Sequence, residues 1–170
     1  MNILKEIKRV HIVEKSLIEL SPVNKDPLIH RTLLELNREF HNASRSEQLD
    51  FINSQIEIYP ERFWMYFHRA IIFSNYLFDN PSEFVNFDKD YDVEADLKTC
   101  MRLNPIFGEA LYLQAKLIEG KIIKGTMNDV IFFYEAAMNV CDRISTLCLS
   151  QLQRIEREYF YIEGQYIKID

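Results

Sequence analysis

The chain has 170 residues, of which 48% are hydrophobic, enough for one domain with a sizeable core. Four glycines and five prolines are too few for an all-β protein, which needs many tight turns. The formal charge of −6 argues against nucleic-acid binding, because phosphate neutralisation requires a basic face, and it favours a protein partner with a basic surface.

The first 20 residues, MNILKEIKRVHIVEKSLIEL, predict an N-terminal helix with one apolar side. Charges every few residues leave this stretch without the apolar core of a signal peptide, so we expect none, and no apolar run approaches the roughly 20 residues that span a bilayer. Three cysteines form an odd set without paired spacing, which favours the reducing cytoplasm as the location. Because no apolar run is long enough to span a bilayer, we expect no membrane contact. We expect free buried thiols at Cys100, Cys141 and Cys148, the last two in one helix or on either side of a corner near Asp142.

Three prolines predict the starts of helices further along the chain. In Asp26-Pro27 and Asn104-Pro105 a polar side chain can cap free backbone N–H groups, and proline is tolerated at the first helical position. Tyr59-Pro60 supplies the proline without the cap.

Alignment on these prolines reveals a repeated pattern. A large, a small and a large residue recur at helical spacing in the first helix of each unit, except that Asn37 takes the small position of the first unit. The three sets are Leu33, Asn37 and Phe40; Tyr66, Ala70 and Phe73; and Leu111, Ala115 and Ile118. In the second helices an apolar residue is followed by a smaller one, with Gln55 as the exception: Ile52 and Gln55, Leu97 and Cys100, Tyr134 and Ala137. Residues 79–90 form an insertion in a loop within the second unit, and repeat architectures tolerate such insertions.

With these residues the chain resembles the tetratricopeptide-repeat (TPR) family, most closely in LNPIFGEALYLQAKLIEG…VIFFYEAAMNV. The resemblance implies an all-α, right-handed stack of antiparallel helix hairpins. Residues 27–142 would form three degenerate TPR-like units in a single domain, with the helix of residues 1–20 before them. A capping helix is expected over 143–164, and the final QYIKID as a tail or a short edge strand.

The resemblance also implies a concave groove lined by the first helix of each unit. The groove positions for partner binding are Trp64, Phe67, His68, Ile71, Tyr112 and Leu113. The alternative is that these side chains are core, covered by a terminal helix, and both interpretations stay open at this point. The basic positions with which the family grasps a carboxylate are not reproduced, so a free C-terminal peptide is not the expected ligand.

The acidic stretch DNPSEFVNFDKDYDVEAD is a second candidate binding segment, through Asp79, Glu83, Asp88, Asp90 and Asp92. A calcium loop is disfavoured because Val93 stands where the turn needs glycine, and Thr99 where a bidentate glutamate is needed. The remaining interpretations are a solvated loop leading into a helix, and a docking surface for a basic partner.

No motif predicts catalysis. The four histidines, including His68, have no partner at metal-ligand spacing, and no phosphate loop or nucleophile elbow is present. We therefore expect no enzyme, no metal and no cofactor. A hydrolase built around His68 is the alternative.

These observations favour a non-enzymatic protein-binding module. Small size and acidity suit a cytoplasmic neutralising protein of the immunity type, which binds and occludes a basic toxin domain. The runner-up is a secretion or assembly chaperone, or an adaptor, that holds an apolar segment in the groove. A homo-oligomeric scaffold is a further alternative, and the sequence leaves the oligomeric state open.

Overall fold

The computed structural model describes residues 26–41, 43–79, 91–162 and 165–169. The helix predicted over residues 1–20 lies outside this range. The described chain is mostly helical, which confirms the all-α prediction. Its elements are α1 (Pro27–Glu39), α2 (Arg45–Ile58), α3 (Phe63–Asp79), α4 (Val93–Leu103), α5 (Gly108–Glu119), α6 (Met127–Val140), a 3-10 turn (Asp142–Ile144), α7 (Ser145–Glu158), β1 (Tyr159–Ile162) and β2 (Gln165–Lys168).

The prolines mark one helix start correctly and two incorrectly. Asp26 caps α1 by accepting from the N–H groups of Leu28 (3.0 Å) and Ile29 (3.2 Å), as predicted. By contrast, Tyr59 and Asn104 are the C-cap residues of α2 and α4, so they end helices. A residue before proline is disfavoured in the helical conformation, so each preceding helix ends there and the chain reverses before α3 or α5 begins.

Two hairpins carry the most extensive helix contacts, α3 with α4 and α5 with α6. Ala70 and Ala115, the small residues of the repeated pattern, are fully buried. Asn37, the exception in the first unit, is only half-buried. Helix α1 approaches α3 more extensively than it approaches α2. The second and third predicted units are therefore paired hairpins, whereas the first is a looser pair.

The corners between successive hairpins lie against one another. The rings of Phe63 and Phe107, at the starts of α3 and α5, are 5.0 Å apart. Gly108 lies directly against Cys141 at the end of α6, where an added Cβ would come within 2.5 Å of the cysteine Cβ. Arg143 reaches back to the buried Glu109, with 3.2 Å between Nη2 and Oε1. The corners thus form one continuous edge of the molecule.

All three cysteines are free and buried, as predicted. Cys141 ends α6 and Cys148 lies in α7, with the 3-10 turn between them. The corner interpretation near Asp142 is therefore confirmed.

The C-terminal segment departs from the predicted capping helix over 143–164. Helix α7 ends at Glu158, and β1 pairs antiparallel with β2, with Tyr161 opposite Tyr166. Aromatic and β-branched residues favour strands, and the run YFYI contains only these. The strand interpretation of QYIK is confirmed. Within the described part of the chain, no helix is both long and apolar enough to cross a membrane.

Candidate protein-binding surfaces

Most of the predicted groove residues lie in the core. Ile71, Tyr112 and Leu113 are fully buried, and Phe67 is nearly so. The physical reason is that α1 packs against α3, and its capping residue Asp26 reaches α5. For these four side chains the structure fits the core interpretation, because they offer a partner almost no surface.

Asp26 connects the first helix to the fifth. The hydroxyl of Tyr112 donates to its Oδ2 at 2.8 Å, and Lys116 Nζ lies 3.8 Å from the same oxygen. Burial, followed by the charge of Asp26, raises the pKa of Tyr112 well above its ordinary value, so the phenol stays a neutral donor. The same carboxylate therefore caps α1 and fixes its position against α5.

Glu119, at the end of α5, continues this polar contact toward the C-terminal helix. Tyr134 of α6 donates to its Oε2 at 3.2 Å, and Lys116 Nζ lies 3.7 Å from the same atom. Arg154 of α7 forms an ion pair with Glu119 and a second one, at 2.8 Å, with Glu158. Together with Asp26, the cap of α1, these side chains connect α1, α5, α6 and α7. Each of the charged groups therefore has a structural role.

Trp64 and His68 are the predicted groove residues that keep part of their surface. Their ring centroids are 5.6 Å apart in an edge-to-face arrangement. Desolvation lowers the pKa of His68 to about 4, so the imidazole is neutral at pH 7 although the residue retains some solvent contact. Among the described residues no carboxylate forms a hydrogen bond or ion pair with His68. The acid/base pair that the enzyme alternative requires is therefore not formed within this part of the chain.

The acidic segment is described only at its two ends. Glu83, Asp88 and Asp90 lie outside the described residues, and Asp79 ends α3 with its side chain undescribed. Asp92 caps α4 by accepting from the N–H groups of Glu94 (3.0 Å) and Ala95 (3.1 Å). For Asp92 these hydrogen bonds support the interpretation of an acid that stabilises the start of a helix.

Sequence reasoning missed the ion pair that lies beside this segment. Arg69 of α3 contacts both carboxylate oxygens of the buried Asp96, at 2.7 and 2.6 Å, and Tyr91 donates to the same carboxylate. The ring of Tyr91 also stacks on Phe73, 3.5 Å away. These contacts join α3, which precedes residues 80–90, to Tyr91 and α4, which follow them. No sequence spacing signals them, because Arg69 and Asp96 lie 27 residues apart.

Sequence reasoning also missed an exposed surface on α2, which we call the acidic face of α2: Glu47, Asp50, Phe51, Glu57 and Ile58. Phe51 is 44% exposed and Ile58 is 60% exposed, whereas Leu49 and Ile52 face the core. The three carboxylates are exposed beside them. A detectable signal was available, because Phe51 and Ile58 lie off the apolar stripe of this helix.

Basic side chains are nearly absent from α2. Its one basic residue is Arg45, which donates to Asn37 at 2.8 Å and to Gln48 at 2.7 Å. Glu47 forms a capping box with Ser44, whose side-chain and backbone hydrogen bonds lower the pKa of Glu47, so it is ionised at neutral pH. The acidic face of α2 is consequently a small apolar patch beside a row of negative charges.

No group of three or more His, Cys, Asp and Glu side chains in the described ranges is placed to hold a metal ion. Comparisons with protein-family models, with curated proteins and with solved structures gave no significant match. The TPR resemblance therefore stays a prediction from the repeated pattern.

Proposed function

We propose that this chain is a non-enzymatic protein-binding module, built as a degenerate stack of TPR-like hairpins, that neutralises a basic toxin domain in the cytoplasm. The acidic face of α2 carries the proposal, since it combines exposed carboxylates with exposed apolar side chains. A basic active site that binds an anionic substrate would bind such a face in place of the substrate. Binding there would occlude the site by charge mimicry.

Two findings support the repeat architecture within this proposal. The hairpins α3–α4 and α5–α6 have the most extensive contacts, and they coincide with the second and third predicted units. The equivalent second-helix residues Ile52, Leu97 and Tyr134 are all fully buried. A stack of hairpins would leave the outer faces of its second helices, α2 among them, available to a partner.

One observation favours the chaperone or adaptor alternative. Trp64 and His68 are adjacent aromatic side chains that keep part of their surface at the predicted groove. Tryptophan is enriched at binding hot spots, so an extended apolar segment could dock against this pair. The two functions therefore use different surfaces, which makes them separable by mutation.

The test is affinity capture from the native cell lysate, followed by an activity assay of the captured protein. Wild type is compared with Asp50→Asn/Glu57→Gln, and with Glu135→Gln/Glu156→Gln as the control, which removes two exposed charges from α6 and α7. We expect wild type and the control to retain a basic protein whose toxic activity falls to zero at equimolar inhibitor. The α2 variant should lose it.

Other outcomes would contradict this proposal. A partner that is released by Trp64→Ala but retained by the α2 variant indicates the chaperone or adaptor function. Capture without any inhibition of the partner's activity excludes neutralisation. Failure of wild type to retain any protein removes the basis for a binding function.

A further inference from the structure

We infer that the acidic face of α2 receives an amphipathic α-helix of the partner, with apolar residues at seven-residue spacing and Lys or Arg beside them. This inference rests on the proposed function, because it names the part of the basic partner that makes contact. Phe51 and Ile58 would receive the apolar residues, and Asp50 and Glu57 the basic ones.

The spacing of the apolar pair favours a helix. Phe51 and Ile58 lie seven residues apart in one helix, which places them two turns or about 10.5 Å apart along its axis. A helical partner presents side chains from one face at the same interval. An extended partner rises about 3.3 Å per residue, so this interval covers about three residues and its side chains would point to opposite faces.

The charges repeat in step with the apolar pair. Asp50 and Glu57 each directly precede one of its members and are also seven residues apart. Two parallel rows with the same period are the arrangement by which a coiled-coil helix meets its partner, with an apolar seam and charges alongside it. One helix with seven-residue spacing of Leu and Lys would therefore satisfy both rows at once.

The patch is already organised for binding. The ring of Phe51 packs edge-to-face on Phe40, with 5.1 Å between centroids, so its orientation is restrained before any partner arrives. In the described chain neither Asp50 nor Glu57 forms an ion pair or a hydrogen bond. A cation that approaches them therefore displaces only water, and the contact should weaken as salt screens it.

The experiment uses two synthetic peptides and the full-length chain. The first, of about 15 residues, carries Leu and Lys at seven-residue spacing, so that both lie on one helical face. The second has the same composition, with Leu and Lys rearranged to alternate as in a strand. Binding is measured by fluorescence anisotropy of labelled peptide, and contact residues by amide chemical-shift changes.

We expect the helical peptide to bind at least about tenfold more tightly than the rearranged one. The largest shifts should fall on α2, and binding should weaken with increasing salt. Ile58→Ser should lower the affinity about tenfold, because its side chain supplies half of the apolar patch. Phe132→Ser on α6 is the matched control, since Phe132 is 62% exposed against 60% for Ile58, and it should leave the affinity unchanged.

Three results would overturn the inference. These are equal binding of the two peptides, an affinity unaffected by Ile58→Ser, and shifts confined to helices other than α2. None of them contradicts the proposed function if wild type still retains a basic partner that the Asp50→Asn/Glu57→Gln variant loses. Circular dichroism of each variant excludes unfolding as the cause, and Ile58, being exposed, can be replaced without a core cavity.

Discussion

Arg69 and Asp96 form a partly buried ion pair between α3 and α4. Removing one partner leaves the other charge with poor solvation, which costs more than the pair itself contributes. We expect Asp96→Ala to lower the free energy of unfolding by about 2–4 kcal/mol in urea titrations. The control is Lys98→Gln, which removes an exposed ion pair with Glu94 in the same helix and should have little effect. Equal effects of the two substitutions would show that Asp96 is effectively solvated.

His68 should make stability depend on pH. Its pKa is about 4 in the folded chain and about 6.5 when unfolded, so the unfolded state binds the proton first as pH falls. The protein therefore keeps its full stability with respect to this group above about pH 6.5. Stability is lost progressively as the pH falls toward 4, because the unfolded state takes up the proton and the folded state does not. We expect a loss of at most about 3 kcal/mol across this range, reduced by the partial exposure of the residue.

The measurement is urea unfolding of wild type and His68→Phe at a series of pH values between 7 and 4. The variant lacks the titrating ring, so its stability should fall less steeply through this window. Parallel curves for the two proteins would show that other groups cause the acid dependence.

Residue-scale prediction from sequence succeeded only where the partners are close in the chain. The Asp26 cap was predictable because its acceptor and donors are two and three residues apart. Its contact with Tyr112, 86 residues away, was not, since any buried acid could pair with any distant donor. Tyr112 is therefore buried by a contact that the sequence does not reveal, which fits the core interpretation of this residue.

At the scale of elements, Gly108 determines how closely α5 approaches α6. A methyl group there would lie 2.5 Å from the Cβ of Cys141 and 2.9 Å from the carbonyl oxygen of Ala137, and the carbonyl cannot move without shifting the end of α6. We expect Gly108→Ala to destabilise the protein by about 1–3 kcal/mol in thermal unfolding.

The control for this prediction is Gly120→Ala at the other end of α5. Gly120 is exposed and has a φ of −73°, which any L-residue adopts, so alanine should be neutral or slightly stabilising there. If both substitutions had the same effect, close packing at Gly108 would not be its cause.

Element boundaries were predictable to the extent that local chemistry decides them. Asp26-Pro27 starts a helix because the carboxylate accepts two backbone N–H groups at once. Asn104-Pro105 also places a potential capping residue before proline but ends a helix, because α4 already extends to Leu103 and proline blocks its continuation. The hairpin after Glu158 was missed in part because its aromatic residues also fit the stripe of a continued helix.

At the scale of the whole molecule, the hydrogen bond between Asp26 and Tyr112 connects two parts of the chain that would not touch in a linear stack of units. In such a stack each unit contacts only its neighbours, yet Asp26 caps the first helix and Tyr112 belongs to the third predicted unit. Glu119 and Arg154 extend the same contact to α7. All seven described helices should therefore unfold as one cooperative unit.

The only tryptophan, Trp64, makes this prediction measurable. Its fluorescence reports on α3, whereas far-ultraviolet circular dichroism reports on all helices, so the two urea transitions of wild type should coincide. In Glu119→Ala, α7 loses its ion pair with α5, and the dichroism should decline at lower urea than the fluorescence does. Two separate transitions in wild type would instead indicate unfolding in blocks, as expected when repeats contact only their neighbours. In that case the bond between Asp26 and Tyr112 would position α1 without coupling its unfolding to that of α5.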